Sequence, residues 1–161
     1  FYHLYYKNII CQLIYQEKLY LVQSQHPAVA KPIVHTEELD ASRELFFKWD
    51  DRYQIWHNQW LTNYARPAAT TDTITMLSQL WDDDRYWIIA PESVIYTFSQ
   101  QRPVFVSELK NPPPNRRCYK ITHRAPLTPS ARALELFETR LGEYLEELHF
   151  PLHLGEVWQE G

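Results

Sequence analysis

The sequence predicts an α/β fold, a mostly parallel sheet flanked by helices. Three observations predict it. Short apolar runs of strand length alternate with segments of helical period. Prolines and acidic turns end several of those runs. Of the 161 residues 45% are hydrophobic, which is enough for a true core and too much for a disordered chain.

The elements follow in chain order. Residues 9–22 read as strand through Ile9, Ile10, Leu13, Ile14, Leu19, Leu21 and Val22. The polar Gln16, Glu17 and Lys18 interrupt it, so one strand ends near Tyr15 and a second follows. Pro27 and Pro32 hold the next loop, and Thr36, Glu37 and Glu38 open a short helical turn ending near Ala41. The run LFFKW at 45–49 reads as a buried strand. Over 52–64, Tyr53, Trp56, His57, Trp60 and Tyr64 share one helical face. Pro67 enforces extended chain, and 68–71 is a strand or connector.

Thr71 or Asp72 suits the N-cap of a helix over 73–81. Residues 82–84 turn the chain into a strand over 86–90, which Pro91 ends, and 92–98 form a short helix. An extended piece over 103–109 and a proline-locked loop over 111–115 come next. Residues 117–123 alternate Cys118, Lys120 and Thr122 against Tyr119, Ile121 and His123, a strand period. The last helix starts at Thr128-Pro129-Ser130, where either hydroxyl can cap it and the proline suits a first turn. Its apolar stripe is Leu134, Phe137, Leu141, Leu145 and Leu148, and Pro151 stops it. The tail from 152 carries no clear pattern.

Composition excludes several functions. The net charge is −4 and Arg116–Arg117 is the only adjacent basic pair, a poor match to duplex phosphates. No run approaches the ~18 apolar residues of a bilayer span. The first residues lack a small-residue cleavage site, so no signal peptide is indicated. The chain opens without Met and already in strand-like sequence, which points to a piece of something longer. The three glycines all lie at or beyond Gly142, so no GxGxxG or phosphate-cradling P-loop exists. Cys11 and Cys118 are too few for a disulfide framework and read as two buried thiols in a reducing cytoplasm, with a bridge between them as the alternative.

Catalytic patterns are also missing. Asp82-Asp83-Asp84, with Asp50-Asp51, invite a hard cation, but consecutive carboxylates diverge and read as a solvated turn. His149 and His153 are split by Pro151, and no HExxH follows. His123 could tune a ligand but reads as a histidine at the core edge. Ser93 and Ser107 lie outside any GxSxG elbow. No metal, cofactor or enzyme activity is expected. The six tryptophans read first as core, with an aromatic pocket or an interface as the alternatives.

The order of these elements resembles the effector-binding domain of LysR-type transcriptional regulators. The likeness spans roughly 13–148 and is carried by a succession of short motifs. They are Leu21-Val22 before His26-Pro27-Ala28-Val29, Glu38-Leu39 before Leu45-Phe46-Phe47, then a helix over 74–81 and the run 87–90 into Pro91. The strand to Arg124, the Thr128–Ser130 start and the long helix complete it. Two positions depart from the family: Asp84 and Tyr86 stand where glycines are usual, so the turn there is reshaped.

The resemblance implies a lobe like those of type II periplasmic binding proteins. It implies a second lobe over about 13–124, a return helix over 129–148 that normally packs on a first lobe, and a tail over 149–161. The implied effector site is Phe47, Lys48, Trp49 and Asp50 after one strand, with Thr71, Asp72 and Thr73 at a helix start. Free amides, hydroxyls and the Trp49 ring suit an anionic or polar ligand. Alternatively, Thr71 and Asp72 only cap the helix. The implied function is a cytoplasmic, homo-oligomeric module that senses a small-molecule effector. It would reach DNA only through an N-terminal domain outside this chain. The alternatives are a solute-binding lobe of a transport system, a metal-assisted hydrolase using the acidic turn, and a pure interaction domain whose pocket is vestigial.

Overall fold

A computed structural model of the chain describes residues 8–61, 65–81 and 84–160. The chain opens with strands β1 (Ile9–Glu17), β2 (Leu19–Gln23), β3 (Ile33–Val34) and β4 (Leu45–Phe47), with 3-10 turns at Thr36–Glu38 and Ala41–Arg43. Helix α1 (Asp51–Trp60), strand β5 (Ala69–Thr71) and helix α2 (Ile74–Leu80) follow. Then come β6 (Trp87–Pro91), α3 (Glu92–Ser99), β7 (Val104–Leu109), β8 (Arg116–His123), α4 (Thr128–Glu147) and β9 (Val157–Trp158). The chain divides into two units: one of 1–16 and 117–149, the other of 17–116 and 150–161.

The larger unit is built on one sheet in the order β3-β7-β2-β6, with β9 also on β7. β2 pairs antiparallel with β6, from Leu19 opposite Pro91 to Gln23 opposite Trp87. It also pairs antiparallel with β7 through Leu21 opposite Ser107. The β3–β7 and β4–β5 ladders are parallel, and Glu44 bridges Trp87 in the parallel sense. The expectation of a mostly parallel sheet is therefore corrected, since the central ladders are antiparallel. Strands β3 to β7 do share one direction, as crossover helices require. β2 precedes every crossover, so that rule does not set its direction, and it runs opposite between β6 and β7.

All five residues of β2 and all five of β6 are buried, because helices cover both faces of the sheet. Period-two geometry sends Tyr20, Val22, Ile88 and Ala90 to one face, where Leu77 and Trp81 at α2 and Val94, Ile95 and Phe98 of α3 meet them. Leu19, Leu21, Trp87 and Ile89 go to the other face, against Tyr53 and Trp56 of α1. Of the face expected on α1, Tyr53, Trp56 and His57 are buried and Trp60 is half-buried; Tyr64 lies outside the described residues.

Four of the six tryptophans are buried, Trp49 and Trp60 are half-buried, and several of them hold backbone. Indole N–H groups donate from Trp49 to the Ile89 carbonyl at 2.7 Å, from Trp56 to Asn111 at 3.0 Å and from Trp87 to Asp40 at 3.0 Å. Each of these three fixes a loop against the core, whereas the buried Trp158 Nε1 has no hydrogen-bond partner among the described residues. Glu17 is buried and accepts from the Arg116 guanidinium at 2.7 Å and from the Ser93 amide at 3.0 Å. That carboxylate ties the end of β1 to the first turn of α3.

The tail is ordered into the same unit. Phe150 packs on Tyr96 with ring centroids 5.7 Å apart, Leu154 bridges Val106, and Trp158 of β9 is buried opposite Val104.

The smaller unit pairs β1 with β8 and carries α4. The Arg124 amide donates to Asn8 at 2.7 Å where β1 begins and β8 ends, which sets the strands running in opposite directions. Neither Thr128 nor Ser130 caps α4; Leu127 holds the N-cap position with no side-chain bond, and Pro129 lies in the first turn. No residue of α4 is buried, and Leu136, Phe137 and Tyr144 are exposed. Both cysteines are free, with Cys11 exposed and Cys118 half-buried, which corrects the expectation of two buried thiols. Ile10, Cys11, Gln12 and Leu13 are all exposed, so both faces of this part of β1 are open.

Candidate functional site

A depression of about 750 Å³ in the larger unit lies at the carboxyl ends of β4 and β5. The parallel register sets Phe46 beside Thr70 and Phe47 beside Thr71, so two aromatic rings and two hydroxyls line the same mouth. Lys48 and Asp72 follow directly after the two strands, Gln54 comes from α1 and Met76 from α2. The wall is therefore apolar at the strands, with one ammonium, one carboxylate, one amide and two hydroxyls around it.

Of the residues the resemblance implies, Phe47, Lys48, Thr71 and Asp72 line this depression. The other three have structural work. Trp49 turns its indole to the Ile89 carbonyl, lies 4.4 Å from the Phe47 ring and carries the Arg116 guanidinium 5.7 Å above it. Asp50 caps α1, accepting from the Tyr53 amide at 2.7 Å and from Arg52 at 3.0 Å. Thr73 is the N-cap of α2, accepting from the Met76 amide at 3.3 Å. The cap expected at Thr71 or Asp72 is thus displaced by one or two residues. Thr71 instead closes a small turn, its hydroxyl accepting from the Thr73 amide at 3.2 Å. Asp72 is exposed and caps nothing.

Lys48 is not a lone cation. It pairs with Asp51 at 2.7 Å, and that hydrogen bond holds the Asp51 carboxyl below its ordinary range. The pair is open to water, so it is easily exchanged for a ligand anion. Phe46, Gln54, Thr70 and Met76 were not among the expected residues. Thr70 and Phe46 were legible in principle, since each sits one step before a residue that was named. Gln54 and Met76 enter only through the placement of α1 and α2.

The larger omission lies behind the wall. Glu44 and His57 are both buried and meet at 2.8 and 2.9 Å, Nε2 against the two carboxylate oxygens. Burial pushes the Glu44 carboxyl up from its ordinary value, and the hydrogen bond from His57 draws it partly back. Buried Tyr53 beside them has its hydroxyl raised well above the usual range by burial and by the Glu44 charge.

The remaining candidates take other places. Asp82 and Asp83 lie outside the described residues, and Asp84 sits 4.0 Å from the His26 ring at the surface. No cluster of three His, Cys, Asp or Glu that could hold a metal is found among the described residues. His123 is exposed and bonds the Ala125 backbone, so it is not at a core edge. His153 pairs with Glu156 and packs on Trp158. No helix among the described residues is long and apolar enough to cross a membrane.

No family model matches the sequence, and no curated protein matches it. Solved structures with the same fold do. The effector-binding domain of QuiR in complex with shikimate superposes with a TM-score of 0.57 at 17% identity, over 88% of this chain and 69% of that one. The regulatory domain of CcmR from Synechocystis PCC6803, in complex with 2-PG, gives 0.62 at 11%, over 83% of this chain and 67% of that one. The amino acid ABC transporter substrate-binding protein AbpA from Streptococcus pneumoniae, bound to L-arginine, gives 0.54 at 10%, over 88% and 57%. The probable transcriptional regulator PA0477 from Pseudomonas aeruginosa is spanned over only 47% of its length. At these identities the likeness is one of fold, that of effector-binding domains of LysR-type regulators and their periplasmic-binding-protein relatives.

Proposed function

We propose that this chain is the second lobe and return helix of a LysR-type effector-binding domain, and that the depression at β4 and β5 holds part of a small polar or anionic metabolite. The observation that carries the reading is the place of the cavity, outside the carboxyl ends of two parallel strands, where α/β folds bind ligands. The shared fold with QuiR and CcmR supports it. Lys48 meets an acceptor on the ligand, Thr70 and Thr71 meet hydroxyls, and Phe46 and Phe47 cover its apolar part. Asp72 selects for a donor at the opposite end. Sensing then works by population shift: the ligand binds one arrangement of the domain better and draws the protein toward it. Contact with DNA belongs to an N-terminal domain outside this chain, and the assembled regulator is a cytoplasmic homo-oligomer without enzyme activity.

Thermal denaturation against a panel of hydroxylated and phosphorylated carboxylates, with shikimate and L-arginine included, tests this. A saturable rise in Tm with at least one carboxylate is expected. Lys48→Gln should then weaken binding about tenfold, the worth of one charge-assisted hydrogen bond (about 1.4 kcal/mol). Binding indifferent to both Lys48→Gln and Phe47→Ala would move the site elsewhere, and a flat panel would remove the effector reading. The likeness to AbpA supports a second reading, a solute-binding lobe. A secretion signal in the full-length protein separates it from the first.

A further inference from the structure

Glu44 and His57 form a hydrogen-bonded pair with both partners buried, at 1% and 4% exposure. Glu44 immediately precedes β4, its carbonyl accepts from the amides of Ala68 and Ala69 at 2.9 and 3.4 Å, and it bridges to Trp87 of β6. His57 lies one turn beyond Gln54 on α1, and its ring stands 4.5 Å from that of Phe46. The pair thus joins the strand and the helix that supply Phe46 and Gln54 to the cavity wall. His57 Nδ1 is buried and has no hydrogen-bond partner.

We propose that Glu44 and His57 are a one-proton latch that positions Phe46 and Gln54, so that the shape of the effector cavity follows pH. The consequence for a ligand rests on the reading of that cavity as the effector site; the latch itself does not.

The proton count gives the mechanism. In the deprotonated pair a neutral imidazole donates its Nε2–H to the carboxylate, and Nδ1 is a bare acceptor, which costs little. One added proton ends that balance. It sits on Nδ1, or on the carboxyl oxygen, and either way a buried donor faces no acceptor. Relief requires the imidazole to move, and Phe46 and α1 are packed against it. The buried carboxylate is the costlier of the two defects, so a carboxyl pushed up by burial takes its proton at higher pH than it does in the unfolded chain. Proton uptake therefore accompanies a fall in pH. The groups around the pair add no competing charge. Tyr53 faces it from α1 with a hydroxyl held neutral, Phe46 from β4 and Trp87 from β6 carry no titrating group, and His57 is the one partner that offsets the burial of Glu44 among the described residues.

A pH titration of the full chain by ¹⁵N NMR, from about pH 8 to about pH 5, tests this without a ligand. The imidazole nitrogens of His57 and the backbone amides of Phe46, Phe47, Gln54 and Thr70 are followed together. They should move with one shared midpoint, and Glu44→Gln should abolish it. Should that variant fail to fold, His57→Gln or the unsubstituted protein alone decides. Cavity amides that stay still while the pair takes up its proton overturn the latch, as does a midpoint unmoved by Glu44→Gln. A shared midpoint with no panel compound bound keeps the latch and removes the effector reading. If a panel compound binds, its Kd should change about tenfold across the midpoint; a constant Kd overturns the coupling.

Discussion

Gly155 adopts φ of +78°, and a Cβ built there would lie 2.8 Å from Pro32 Cβ. Two penalties coincide, a left-handed backbone and a collision with a rigid ring. Its amide also donates to the Val106 carbonyl at 2.9 Å, so the residue cannot move aside without breaking the seam. Gly155→Ala should cost about 1–3 kcal/mol in urea denaturation, and an unchanged midpoint would show that the tail is not anchored as described. The same scale shows what a sequence hides. Glu44 stands between Arg43 and Leu45 and looks like any charged residue ahead of a strand; only the approach of α1 makes it a buried partner of His57. Thr73 rather than Thr71 or Asp72 caps α2, because Thr71 spends its hydroxyl on a turn that shifts the helix start.

Among the elements, α4 is the one whose packing is least complete. Its stripe of Leu134, Leu141, Leu145 and Leu148 is only half-buried, while Phe137 stands exposed. Helix propensity therefore matters more here than in α1 or α3. Gly142 lies in its exposed middle with nothing within 4 Å of an added Cβ. Gly142→Ala should stabilise the helix by about 0.5–1 kcal/mol, seen as greater amide protection in α4; loss of protection would mean that the position is in contact with something. Legibility differed by element. β6 and α3 could be read because an apolar run meets Pro91, and proline fixes both the end of one and the start of the other. The direction of β2 could not be read, because its partners lie far along the chain and pairing sense leaves no local mark.

At the scale of the molecule, both apolar clusters belong to the larger unit, and among the described residues no buried apolar side chain belongs to the smaller one. Stability should be divided accordingly. Native-state hydrogen exchange is expected to find the amides of β2 and β6 slowest, opening only with global unfolding, while those of α4, β1 and β8 exchange through smaller openings. Equal protection in both units would contradict that division. The α/β class was within reach of the sequence, since it follows from alternation and turn chemistry, whereas a site at the strand ends was implied only by the resemblance to a family. The latch was not, since it depends on two residues meeting inside the core.

The central place of β2 also sets a problem for synthesis. It leaves the ribosome ahead of every strand that will flank it, and its neighbours β6 and β7 are made only after α1 and α2. Until then Leu-Tyr-Leu-Val has two unpaired rows of backbone groups and no cover on either face. A nascent chain in that condition is a template for intermolecular pairing, and contacts of such long sequence separation form slowly. Yield during expression should therefore depend more on holdase chaperones than the finished sheet would suggest.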